Sequence, residues 1–172
     1  MNISLEIDGQ EQFNWAVASL SQSITDWRGV WPEVEQIFYR AQLEQFNSEG
    51  SRGGARWKPL SDNYRNWKQK KYPGRPILVL TGRLKRSLTV NGAGGSDQVR
   101  DQQPMSLTLG SVVPYGIYHQ RGTKRMAQRQ PMQLLQRDMG RITSRMYRFA
   151  ERGARDAGFK TVSRSFLTPG AE

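Results

Sequence analysis

The chain has 172 residues, 36% of them hydrophobic, and its mean hydropathy is −0.73. It has no Cys and one His, which excludes disulfides, thiolate metal sites, Cys nucleophiles and a His-built metal cage, and leaves His119 as the only imidazole a hydrolytic triad could use. Lys and Arg number 26 against 15 Asp and Glu, a net charge of +11, and no apolar run approaches the roughly 20 residues of a membrane span.

In chain order, Ile3, Leu5 and Ile7 alternate with polar neighbours and predict a short strand over 2–8, ended by Asp8-Gly9. The first residues lack the basic start and apolar stretch of a secretory leader. Phe13, Ala16, Val17, Leu20 and Ile24 fall at helical spacing and predict a helix over 11–26. Trp31-Pro32-Glu33 reads as a helix start, and Val34, Ile37, Phe38, Ala41 and Phe46 carry its apolar stripe to about Asn47. Residues 48–56 are polar and Gly-rich and read as a mobile loop.

Ser61-Asp62 is placed to cap a short helix to about Lys71, in which aromatic and basic residues interleave. Pro73-Gly74-Arg75-Pro76 breaks it, and the apolar run 77–80 follows. Residues 81–87 read as a cap and one or two helical turns. Residues 87–111 read as an antiparallel meander: a strand begun by Leu88-Thr89-Val90, a turn at 91–95, a return strand at 98–101 and a clear alternating strand at 106–111. Residues 113–120 predict a helical turn, residues 121–130 a basic loop, and residues from about 132 to 157 a long last helix of roughly 36 Å. The fold class is therefore α+β, a small antiparallel sheet packed against helices, with long N-terminal and C-terminal helices.

The charge is distributed in blocks: residues 1–50 carry −6, residues 51–100 carry +10 and residues 101–172 carry +7. They divide the chain into an acidic N-terminal strand and helices (1–50), a basic core with the meander (51–135), and an Arg-striped C-terminal helix and tail (136–172). Such asymmetry suits nucleic acid as a partner, or the acidic segment of one subunit meeting the basic segment of another, which favours head-to-tail rings. The last helix carries two stripes. Leu135, Met139, Ile142, Met146, Phe149 and Gly153 make an apolar seam of coiled-coil spacing, read as packing on the core or on a neighbouring subunit. Arg137, Arg141, Arg145, Arg148, Arg152 and Arg155 lie on the adjacent face, with few acids nearby. With Arg121, Lys124, Arg125 and Arg129 of the basic loop, the first five of these are candidates for contact with DNA in a channel or with a neighbouring subunit.

Over residues 57–135 the chain resembles the phage virion morphogenesis (tail completion) family. The motif residues are Trp57-Lys58-Pro59-Leu60, then Leu80-Thr81-Gly82-Arg83-Leu84 with Ser87, then Tyr115 with His119 and Gly122, then Gln130-Pro131-Met132. The pairing of an L-T-G-R-L-x-x-S box with a following Y-x-x-x-H-x-x-G carries the likeness; either half alone is weak. The resemblance implies a structural protein at the neck or top of the tail, a ring around the DNA channel that finishes the tail and joins it to the head. It implies no catalysis and no cofactor. Its partners would be itself, with six copies following tail symmetry rather than twelve following the portal, other neck and tail proteins such as a head-completion or connector protein and a tail tube or terminator protein, and packaged DNA bound without regard to sequence. Its place would be the virion, after assembly in the host cytoplasm.

The motif residues read structurally. Thr81 can cap the short helix through its hydroxyl, Gly82 can allow a close backbone approach, and Leu84 and Leu88, four apart, can plug the core. His119 among aromatics reads as a packed residue. An enzyme fits poorly: Asp62, Asp97 and Asp101 are the only acids from 51 to 137, too few and too scattered to hold a catalytic metal, and Gly92-Ala93-Gly94-Gly95 lies between strands instead of opening a helix. The alternative is a free nucleic-acid-binding protein, with Trp57, Tyr64, Trp67 and Tyr72 stacking bases amid Lys and Arg.

Overall fold

The structure is a computed structural model, and it describes residue 18 and residues 25–92 and 95–158. The strand expected at 2–8 and most of the helix expected at 11–26 lie outside the described residues. Helices are α1 (Trp31–Asn47), α2 (Asp62–Lys71), α3 (Arg83–Thr89), α4 (Gly116–Arg121) and α5 (Gln136–Asp156). Strands β1 (Gln98–Gln102) and β2 (Leu107–Ser111) pair antiparallel, with Gln98 opposite Ser111 and Gln102 opposite Leu107. The architecture is α+β, with a long helix early in the described chain and another at its end.

Helix α1 is the axis of the molecule. Pro32 sits in its first turn, where the missing N–H costs nothing. Phe38, Tyr39 and Phe46 join Trp57, Val79, Leu84, Leu88 and Val113 in one core. Val30, Trp31 and Val34 form a second, onto which Ile142, Met146 and Phe149 of α5 and Leu107 of β2 pack. The acidic helix is thus folded into the body of its own chain. The apolar seam of α5 is intramolecular packing at Ile142, Met146 and Phe149, while Met139 stays 45% exposed.

After α1, Glu49 and Gly50 adopt left-handed backbone, at φ 47° and 90°. Gly50 is required there twice over: its φ is costly for a side chain, and a Cβ would collide with the Trp57 indole. Trp57 packs edge-on against Phe46, its ring centroid 5.6 Å away, and its Nε1 donates to the Gln130 carbonyl at 3.2 Å. It is a core residue, not a platform for bases.

Several expectations need correction. Leu88 and Thr89 are helical, so the three-stranded meander over 87–111 is a two-stranded hairpin preceded by the end of α3. Leu84, Ser87 and Leu88 are buried at helical spacing, and that burial decides the conformation over local β propensity. The last helix begins at Gln136, about four residues late: residues 130–133 are held against α1, outside any helix, by Gln42 and Gln45. Gln42 Oε1 accepts from the Gln133 N–H at 2.9 Å, and Gln45 Nε2 donates to the Gln130 carbonyl at 3.0 Å. The 48–56 stretch is pinned. The Arg52 side chain is 3% exposed and donates to Asp138 Oδ1 at 2.5 Å, and residues 51–53 form a 3-10 turn.

Candidate functional site

Both halves of the sequence motif converge on one cleft of about 790 Å³. Its lining comes from α2, through Tyr64 and Lys68, from the 78–84 stretch, from Tyr115 at the N-cap of α4 and His119 within it, and from the 125–129 loop. Leu80, Thr81, Gly82, Arg83 and Leu84 all border it. The segments 59–68 and 78–84 meet residues 115–129, at least 31 residues further along the chain, so only the fold assembles them.

Each motif residue has a local reason. Gly82 is the N-cap of α3 at φ 82°, and nothing lies within 4 Å of where its Cβ would be; the glycine is there for the backbone angle, not for a close approach. Thr81 Oγ1 accepts from the Arg83 N–H at 3.4 Å, a long bond from the residue before the cap, and replaces the expected hydroxyl cap. Arg83 forks onto Asp97, with both bonds at 2.6 Å, and ties α3 to the start of β1. Leu84 is buried, and Ser87 Oγ donates to the Leu84 carbonyl while meeting Ser111 Oγ at 2.7 Å, so α3 is stitched to β2. Gly122 ends α4 at φ 73°, where a Cβ would press on the Gln128 backbone.

His119 lies edge-on to Tyr115, with centroids 6.2 Å apart. Its carbonyl accepts from the Arg129 N–H at 2.9 Å, and its Nδ1 is buried with no hydrogen-bond partner among the described residues. Burial pushes the imidazole below its ordinary pKa, and the Arg129 charge pushes it the same way. It is therefore neutral near pH 7.

The nine candidate cations divide. Arg121, Lys124 and Arg125 are exposed, and Arg125 borders the cleft. Arg129 also has an internal role: it is 8% exposed, and its Nε and Nη2 donate to the Lys58 and Pro59 carbonyls at 2.7 and 2.8 Å, so it anchors the basic loop while lining the cleft. Arg137, Arg141, Arg145, Arg148 and Arg152 share the exposed face of α5. Arg145 and Arg152 reach Glu33 of α1 at 3.3 and 3.9 Å. Among the described residues, Arg137, Arg141 and Arg148 have no ion pair within 4 Å.

The acidic residues of α1 and its flanks are largely satisfied within the chain. Glu35 accepts from Arg100 and Gln102 at 2.7 Å each, Glu44 from Arg52, Glu49 from Arg56, and Asp26 from Arg28. This intramolecular pairing is what the block charges could not disclose. Glu35, Gln42 and Gln45 are the residues the sequence reading passed over. All are buried, and they fix the sheet and the 130–133 stretch to α1. Their signal was position: Gln42 and Gln45 share the helix face of Phe38, Ala41 and Phe46.

A family model matches residues 8–154, nearly the whole chain and well beyond the 57–135 stretch that carries the motifs. The chain belongs to the phage virion morphogenesis family. No curated protein and no solved structure matches it. As a member of that family it serves the structure and assembly of a phage virion, acts with other virion proteins and associates with the virion. Among the described residues, no helix is long and apolar enough to cross a membrane.

Proposed function

We propose that the protein is a ring subunit at the neck or top of the tail of a tailed phage, completing the tail and joining it to the head around the DNA channel. Its work is architectural, with no catalytic step. The observation that carries this reading is the arginine face of α5, whose six guanidinium groups fall within an arc of about 80° at 100° per residue. A lumen surface of this kind neutralises phosphates without reading bases and lets DNA pass. Six copies follow tail symmetry, the neighbours being a head-completion or connector protein above and a tail tube or terminator protein below.

The test is R141Q/R145Q/R148Q. None of the three guanidinium groups is buried, so the melting temperature stays within a few degrees of wild type, while head–tail joining or DNA retention falls at least tenfold in particle counts. Undiminished yields of intact, infectious particles would overturn the channel reading.

A second reading, free binding of nucleic acid, draws on Tyr64, Trp67 and Tyr72, exposed on and beside α2 with centroids 5.4 and 5.9 Å apart among Arg65, Lys70 and Lys71. Native mass at two salt concentrations, with and without short duplex DNA, separates the two. A discrete ring supports the neck, and a monomer binding DNA with a steep salt slope supports the alternative.

A further inference from the structure

The cleft is electrostatically incomplete. Lys68, Arg83, Arg125 and Arg129 line it, and among the described residues no carboxylate does; Arg83 is already paired with Asp97 outside the lining, which leaves Lys68, Arg125 and Arg129. Two of these cations are buried, Lys68 at 4% exposure and Arg129 at 8%, and each rests on backbone carbonyls alone: Pro76 for Lys68 at 2.6 Å, Lys58 and Pro59 for Arg129. Burial lowers the pKa of both. The acid whose charge acts on Lys68 is Glu49, outside the cleft, and its carboxylate is already shared by the Ile77 N–H and Arg56. Buried charge without a counter-charge is costly, so an anion that enters here gains more than it would on open surface. Leu60, Leu78, Leu80, Leu84 and Met126 supply apolar lining beside the polar Ser61, Thr81 and His119. The occupant that fits is an extended segment with carboxylates on one side and aliphatic side chains on the other.

One segment of this chain has that chemistry. From residue 1 to 27 there is no Lys or Arg, and Glu6, Asp8 and Glu11 stand beside Ile3, Leu5 and Ile7. Extended, residues 3–8 put the three aliphatic side chains on one face and Glu6 and Asp8 on the other, over about 20 Å. The acids of the described part of α1 and its flanks are already paired within the chain, and these three are a separate concentration of negative charge along the sequence.

We infer that the cleft receives the acidic segment 2–11 of a second copy, so that each subunit inserts into the next. Such a heterologous contact closes into a ring when its rotation divides a full turn. The inference rests on the ring reading for its closure and deepens it.

Because the native chain lacks Cys, single introduced cysteines report the contact directly. L5C protein is mixed under mild oxidant with a mass-tagged S61C protein, Ser61 being exposed at the cleft edge, and in parallel with tagged R148C, which does not border the cleft. The expected result is an L5C–S61C heterodimer forming at least tenfold faster than L5C–R148C, slowed at least fivefold when R125E is added to the S61C chain. Arg125 is exposed and its side chain makes no hydrogen bond or ion pair among the described residues, so that variant is expected to fold. A labelled peptide of residues 1–14 should also bind the full-length E6K/D8K/E11K protein saturably, and the same protein carrying R125E at least tenfold more weakly. Cross-linking no faster than the R148C control, or peptide binding indifferent to R125E, would overturn the inference. Native mass read on the wild type separates the two proposals: a ring with no cleft cross-link removes the docking and leaves the ring, and a monomer at every concentration removes the ring along with insertion between copies.

Discussion

Asp138 joins two structures through one carboxylate. Its Oδ2 accepts the Leu135 N–H at 2.8 Å at the start of α5, and its Oδ1 takes Arg52, with both side chains at most 3% exposed. Burial raises the Asp138 pKa, but the Arg52 bond and the Leu135 N–H outweigh it, so the carboxyl is held below its ordinary value. D138A strands Arg52 in the interior with only Glu44 for a partner, and denaturant unfolding should show a loss of about 3 kcal/mol. D138N keeps an acceptor for Leu135 and should lose less. R52M/D138L, which removes both charges together, should recover most of the loss, and a double mutant no better than D138A would count against the pair as the cause. His119 gives a pH signature. Its folded pKa lies below the ordinary 6.5, so the unfolded chain takes the proton first. Stability should hold above pH 6.5, decline as pH falls through the folded value, and level off below it. Melts of H119Q across pH 4.5–7.5 should lose that slope, and an unchanged slope would assign it elsewhere.

The docking of α5 on α1 depends on Gly29. A Cβ there would stand 2.7 Å from Phe149 Cε2, in the cluster that also holds Val30, Trp31 and Val34. G29A should cost about 1–3 kcal/mol as an overpacked site, and F149A about 2–4 kcal/mol as a partly buried ring lost. The double mutant should fall short of the sum, since the second change empties the space the first overfills. Additivity in a thermal-melt cycle would place the strain elsewhere. The elements themselves were legible unevenly. Helices α1, α2 and α4 stand where spacing, Pro32 and the 73–76 breaker put them, because those signals are local. The start of α5 and the lost strand at 88–90 were not legible: one depends on Gln42 and Gln45 reaching across some 90 residues to hold 130–133 against α1, the other on burial of Leu84 and Leu88 under α1. Both are decided by partners far off in sequence, where local propensity is a weak guide.

At the scale of the whole molecule, the described acids of α1 and its flanks are spent internally and the basic residues are left in excess. Glu44, Glu49, Asp97 and Asp138 all sit below their ordinary pKa. A hydrogen bond is the leading cause for the first three, and for Asp138 the Arg52 and Leu135 bonds overcome burial. Their contribution is complete above the ordinary carboxylate values of 4.5 and 3.8 and is lost as pH falls through the lower folded ones. Acid unfolding should therefore set in below about pH 4.5, distinct from the His119 slope, which begins as pH falls below the ordinary 6.5. The amino-acid sequence by itself determined the α+β class, the two helix faces of α5, the family and the basic excess, because periodicity, composition and motif spacing are written along the chain. Only the tertiary structure decided that Trp57 and Arg129 are internal anchors, that the acids of α1 are paired within the chain, and that both motif halves line one cleft where Lys68, Arg125 and Arg129 have no ion pair among the described residues. Those outcomes turn on distances between segments that a linear string does not contain, and on burial, which converts an ordinary Lys or Arg into a charge that needs a partner.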